Sequence, residues 1–161
     1  MRNIAKGALL TVAVAAAVVS VGIDAAAPVA AQDKEAALKD RQATMKSLGK
    51  AMEDIKGYLE GKVEQPAALE SARHIQSVAN IIPDKFPQGT ATVDFPGKSG
   101  AKPVIWSDWN DFLAKDKGLK EESAKLVDAV KSGDKNAVAT QFVTTGKQAC
   151  GNCHNTYREK I

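Results

Sequence analysis

The sequence predicts an all-α chain folded as an antiparallel up-down four-helix bundle. Three observations point there. Aromatic residues make up 5% of the chain and alanine is abundant, a mix that favours helices over sheets. Apolar residues recur at spacings of three and four in four separate segments. Most of these segments are joined by short links, and helices so joined pack as antiparallel neighbours. With 161 residues the chain suits one ordinary domain.

Residues 1–31 are set apart from this pattern. Arg2 and Lys6 give a short basic start, Ala8 to Ile23 is almost wholly apolar, and small residues follow up to Ala30-Ala31. That order is the layout of a secretory signal peptide, with cleavage expected after Ala31. The apolar run is shorter than the roughly 20 residues a membrane span needs. The mature domain is then residues 32–161, an exported soluble chain without a span. In a Gram-negative host it would be periplasmic, an oxidising compartment.

The first helix is expected from Gln32 to about Leu59, with Leu38, Met45, Leu48, Met52, Ile55 and Leu59 on one stripe and lysines outside. The second opens at Pro66, a residue tolerated in a first turn. Its stripe is Leu69, Ala72, Ile75, Ala79 and Ile82, and Pro83 ends it. Residues 83–102, rich in proline and glycine, read as a long surface connection that covers something. The third helix is expected from about Pro103 to Lys131. Ile105, Trp109, Phe112, Leu119, Leu126 and Val130 point inward, and Gly118 marks a weak middle. Asp134 caps a fourth helix that runs to about Lys160, with Val138, Phe142, Val143, Ala149, Cys150, Cys153 and Tyr157 inward.

Composition excludes several functions. A net charge of +3, or +2 for the 20 basic and 18 acidic residues of the mature domain, is too balanced for a nucleic-acid binder. Two cysteines build no disulfide scaffold, and His74 and His154 alone build no multi-histidine metal centre. No acid–base constellation suggests an enzyme. Trp106 and Trp109 read as packing residues.

The chemistry lies in Cys150-Gly151-Asn152-Cys153-His154, a C-x-x-C-H motif of the kind that attaches c-type haem. On a helix, positions i, i+3 and i+4 share a face. Both thiols can therefore form thioethers with one porphyrin while His154 lies beneath the iron as axial ligand. A zinc site lacks its fourth ligand, a thioredoxin-like pair lacks its strand, and a disulfide across two residues closes almost no loop.

The bundle narrows the sixth position. His154 lies roughly 9–10 Å from the end of its helix and Met45 roughly 18 Å into the first, at 1.5 Å per residue. Met52 is placed too deep, and His74 falls with Ser71 and Val78 off the second stripe. These levels leave open whether Met45 is an iron ligand or plain core packing. Arg41, one turn before Met45, is placed to pair with a haem propionate, and Arg158, one turn after His154, to shield the haem's proximal side; each is equally readable as a solvated surface arginine.

Three segments together resemble the class II cytochromes c, the cytochrome c-prime family: Arg41-Gln42-Ala43-Thr44-Met45, Lys102-Pro103-Val104-Ile105-Trp106-Ser107-Asp108, and Cys150 through Arg158. The resemblance covers essentially all of the mature chain. It implies one covalent haem c in a four-helix bundle. High-spin members leave the sixth position empty beside a leucine or phenylalanine, and low-spin members place a methionine there. Met45 matches that position, so the chain resembles the low-spin branch. The resemblance further implies that Arg41 and Gln42 lie near the propionates, and that a homodimer can form through the first two helices.

The expected function is therefore a soluble periplasmic one-electron carrier with redox partner proteins. One alternative is a five-coordinate, high-spin protein that binds NO or CO. Another is a haem-free helical binding protein.

Overall fold

The computed structural model describes residues 34–161. The expected signal peptide and its cleavage point lie outside these residues. Six α-helices follow in order: α1 (Lys34–Leu59), α2 (Gln65–Ala79), α3 (Val104–Ser107), α4 (Trp109–Ser132), α5 (Lys135–Thr144) and α6 (Asn152–Tyr157). A π-helical segment, Thr145–Gly151, joins α5 to α6, so α5, this segment and α6 act as the bundle's fourth helix.

Helix α1 packs on α2, α2 on α4, α4 on α5, and α5 back on α1, which closes the four-helix square. Contacts at one end show the up-down order. Gln65, at the start of α2, donates to the carbonyl of Val130 near the end of α4 at 2.9 Å. Tyr58, near the end of α1, lies beneath Lys135 at the start of α5, with the ammonium 5.1 Å from its ring centroid.

That end is filled by small and aliphatic side chains and one tyrosine: Ala51, Ile55, Tyr58, Ala68, Ala72, Ile75, Leu126, Val130 and Val138 are all buried. Burying each large aliphatic chain contributes about 1.5–3 kcal/mol. Gly133 closes α4 with φ 75°, the left-handed conformation that glycine adopts without strain. Asp134 caps α5 as expected, accepting from the amides of Asn136 and Ala137 at 2.9 and 3.3 Å.

The described bundle departs from the expected helices in several places. Helix α2 ends at Ala79, and Pro83 opens a short 3-10 turn through Lys85. The third helix breaks at Asp108 (φ −125°, ψ 51°), whereas Gly118 sits inside an unbroken α4. The fourth helix stops at Tyr157 because Arg158 turns extended and pairs with Ala101. Val143, expected inward, is 48% exposed, while Val78, placed off the inner stripe, is buried. Among the described residues no helix is long and apolar enough to cross a membrane.

The connection 83–102 lies over the other end of the bundle. Its end is tied to the C-terminal tail by bonds from Lys102 N to Tyr157 O (2.9 Å) and Glu159 N to Gly100 O (2.8 Å). Only glycine fits at position 100, since a Cβ there would lie 2.7 Å from the Glu159 carbonyl oxygen.

Candidate haem cavity

At the end beneath this connection, the helices enclose a cavity of about 700 Å³. Small-molecule and cofactor sites span about 300–1,000 Å³, so this is a cofactor-sized space. Aliphatic side chains of α1 and α4, together with Ile75, Ile82, Phe86 and Ile105, make much of its wall apolar. Around it stands an aromatic group. Phe112 meets Phe86 edge-on at 4.9 Å, stacks on Trp109 at 5.0 Å and meets Tyr157 edge-on at 5.5 Å. Trp106 donates its indole N–H to the Phe86 carbonyl at 2.9 Å, so both tryptophans serve packing.

All seven residues singled out in the sequence line this one cavity: Arg41, Gln42 and Met45 from α1, and Cys150, Cys153, His154 and Arg158 from the last helix and its exit. The route to that placement differs from a plain helix. Cys150 sits in the π-helical segment, whereas Cys153 and His154 sit on α6. The uniform i, i+3, i+4 geometry therefore does not hold across the motif, although both sulfurs still reach the cavity wall. The signal for this irregularity was the run Thr144-Thr145-Gly146, which is poor in helix formers.

Burial pushes both thiols up, Cys153 to about 11. Cysteines that act as redox nucleophiles are tuned downward instead, so a thioredoxin-like pair is disfavoured. The two cysteines are not joined in a disulfide. Among the described residues no group of three or more His, Cys, Asp or Glu side chains is arranged to hold a metal ion, which disfavours zinc. Desolvation, and then the charge of Arg158, hold the His154 imidazole below its usual value. The neutral ring keeps a lone pair for a metal.

Arg41 is 5% exposed, and every bond that fixes it goes to a neutral oxygen. Nη1 donates to Thr90 Oγ1 at 2.7 Å and more distantly to the Lys85 carbonyl at 3.4 Å. Nη2 donates to Thr90 O at 2.8 Å and Ser99 Oγ at 3.1 Å. Its guanidinium also lies 4.8 Å from the Phe86 ring centroid. Burial lowers its proton affinity, yet an arginine stays charged. Connection 83–102 thus buries a cation at the cavity wall, which suits an anionic group of a bound cofactor. Gln42 donates to Lys98 O of the same connection at 2.8 Å.

Two residues set aside in the sequence fall differently. His74 is exposed on the outer side of α2, its Nε2 2.9 Å from Ser47 Oγ, and does not line the cavity. Met52 does line it, against the expectation from helix levels; its Cε lies 3.7 Å from where a side chain on Gly146 would begin. Sequence reasoning also missed Asp116, a buried carboxylate on the cavity wall. Its position in the apolar repeat Phe112, Leu119, Leu126 was the available signal.

Comparison with known proteins points to one family. A sequence profile of the family described as Cytochrome C' matches residues 36–158. Cytochrome c-556 of Agrobacterium tumefaciens (strain B2A) is 35% identical over 127 residues, covering 76% of this chain and 97% of that protein. Cytochrome c' of Pararhodospirillum photometricum is 30% identical over 128 residues, covering 78% and 98%. Among solved structures, a cytochrome c' with ligand-controlled dimer dissociation aligns with a TM-score of 0.72 at 28% identity, covering 79% of this chain and 97% of that one. Cytochrome c prime from Shewanella frigidimarina aligns with a TM-score of 0.69 at 27% identity, covering 80% and 98%. An apolar cavity of cofactor size, two thiols and an imidazole on its wall, and a buried guanidinium all fit a haem. The chain therefore belongs to the cytochrome c' family and carries one covalent haem c on Cys150 and Cys153.

Proposed function

We infer that this protein is a periplasmic one-electron carrier in which His154 and Met45 hold the haem iron from two sides. The observation that carries the reading is that α1 and the last helix bring Met45 and His154 to the wall of one cavity, together with both cysteines. Met45 is favoured over Met52 by its neighbours. Met45 packs in the cluster that contains Cys153, Phe112 and Tyr157, whereas Met52 packs in the filled end with Ile55 and Leu126.

The haem supplies a one-electron couple at its iron. The chain supplies the rest. Cys150 and Cys153 anchor, and His154 presents a neutral imidazole nitrogen. Met45 offers a thioether, a ligand that raises the reduction potential. Arg41 and Gln42 take the propionate side, where the buried guanidinium offsets negative charge. Arg158 stands beside His154 on the proximal side. Redox partners dock weakly and transiently, as suits a carrier. The mature chain is exported by its N-terminal signal, and two copies associate through α1 and α2.

A second reading is a five-coordinate protein that binds NO or CO, with Met45 off the iron. It is favoured by the cytochrome c' proteins among the relatives, one of them with ligand-controlled dimer dissociation. Absorption spectra of the ferric and ferrous protein separate the two readings. The carrier reading requires a six-coordinate low-spin spectrum that CO leaves unchanged, and Met45→Ala must convert it to a CO-binding form, while Met52→Ala must not. A high-spin wild-type spectrum supports the second reading, and a Met45→Ala spectrum identical to wild type shows that Met45 is not the ligand.

A further inference from the structure

One buried ionisable group on the cavity wall has no part in anchoring or ligation. Asp116, on the inner side of α4, is 5% exposed. Its Oδ2 pairs with Lys120 Nζ at 2.8 Å, and its Oδ1 is buried without a hydrogen-bond partner. An unsatisfied carboxylate oxygen is costly to bury, and a leucine at this position would fill the apolar stripe without that cost. Burial raises the carboxyl above its ordinary range, against the opposing pull of Lys120. Lys120 is 39% exposed and links the buried group to solvent. The charge of Asp116 also acts on the Cys153 thiol, which places it near the haem attachment.

We propose that Asp116 is a redox-linked proton acceptor, taking up a proton on Oδ1 when an electron enters the haem cavity and releasing it when the electron leaves. This rests on the cavity holding haem, and not on Met45 being a ligand. The step balances as one electron from the docked donor, one proton from water by way of the Lys120 edge, and one carboxylate converted to a carboxylic acid; oxidation reverses it. An added electron removes one positive charge from the cavity and so favours the protonated acid.

The ionisable surroundings are mixed in sign. On α4 itself they are Lys120 and Lys115, the latter 3.5 Å from Asp111. The last helix and its exit face the cavity with Cys150, Cys153, His154, Tyr157 and Arg158, and α1 does so with Arg41 and Lys46. Helix α2 contributes only Ile75 to this wall.

The test is the midpoint potential of the holoprotein as a function of pH, measured by spectroelectrochemistry. In the wild type the potential falls as pH rises through the titration of Asp116, with a slope of up to ~59 mV per tenfold change in proton activity for one electron. Asp116→Asn loses that sloping interval. Lys120→Met, which leaves the carboxyl in place, moves the interval to higher pH and keeps the proposal testable if Asp116→Asn folds poorly. Redox-difference infrared spectra gain a carboxylic-acid carbonyl band on reduction of the wild type and not of Asp116→Asn. The proposal is overturned if wild type and Asp116→Asn give parallel curves and the same infrared bands, or if Lys120→Met leaves the interval in place. A five-coordinate spectrum that retains the difference in slope removes Met45 ligation and supports the role of Asp116. A chain without haem overturns both.

Discussion

The two ends of the bundle are built on opposite plans. The end with the α1–α2 link and the α4–α5 turn is filled with alanine, valine, isoleucine and leucine, its larger side chains almost wholly buried. The other end is ringed with Phe86, Trp106, Trp109, Phe112 and Tyr157, and it is hollow. Small and branched side chains interdigitate to crystal-like density. Large aromatic rings braced edge-to-face hold their positions around a space. The contrast predicts that the filled end supplies folding stability without the cofactor, while the hollow end depends on what occupies it.

That contrast is tested most severely by removing the anchor. Replacing Cys150 and Cys153 together with serine is expected to abolish haem staining on a denaturing gel. It should also raise hydrogen exchange in α3, α6 and residues 83–102, while amides around Ile55 and Leu126 stay protected. Uniform loss of protection through the whole bundle would show that the two ends do not fold as separate units.

A cavity cut into the filled end should give the complementary result. Leu126→Ala, at a fully buried position, is expected to cost about 2–5 kcal/mol in denaturant unfolding. The absorption spectrum should stay as in the wild type. A changed spectrum would mean that packing at the filled end sets the cavity's shape.

Arg41→Met tests the seam between α1 and connection 83–102. The substitution strips the guanidinium from Thr90, Ser99 and the Lys85 carbonyl. The expected loss is about 1–3 kcal/mol, from buried acceptors left unpaired. Limited proteolysis should cut faster between residues 83 and 102. Unchanged cleavage would show that Arg41 does not secure the connection. The smallest effect is expected at the filled end's surface, where Asp134→Ala removes the α5 cap at a cost of about 1 kcal/mol, read as a lowered denaturant midpoint.

The filled end was also the more legible in the sequence. Ile55, Ala72, Ile75, Leu126, Val130 and Val138 follow the helical period and are buried. Asp134 could be read as a cap because a side-chain oxygen before an apolar run has one local use. At the hollow end the period fails as a guide. Met45 and Leu48 carry the right spacing but line a cavity, so they are only half-buried. The end of the last helix at Tyr157 depends on tertiary pairing, Arg158 against Ala101, while the break at Asp108 and the π-helical segment Thr145–Gly151 interrupt helices that the apolar period carries straight through. The motif Cys150 to His154 was legible because its chemistry needs those residue types in that order. The burial of Arg41 was not, because residues 83–102, distant in sequence, create it. Asp116 escaped notice because a carboxylate in an apolar stripe reads as a gap in the pattern.

The most direct measurement is the intact mass of the denatured, purified chain, made in a host that matures c-type cytochromes, with peptide mapping of the C-terminal helix. The expected result is one haem added to the polypeptide, retained on the peptide that holds Cys150, Cys153 and His154. A mass equal to that of the polypeptide alone would contradict the account.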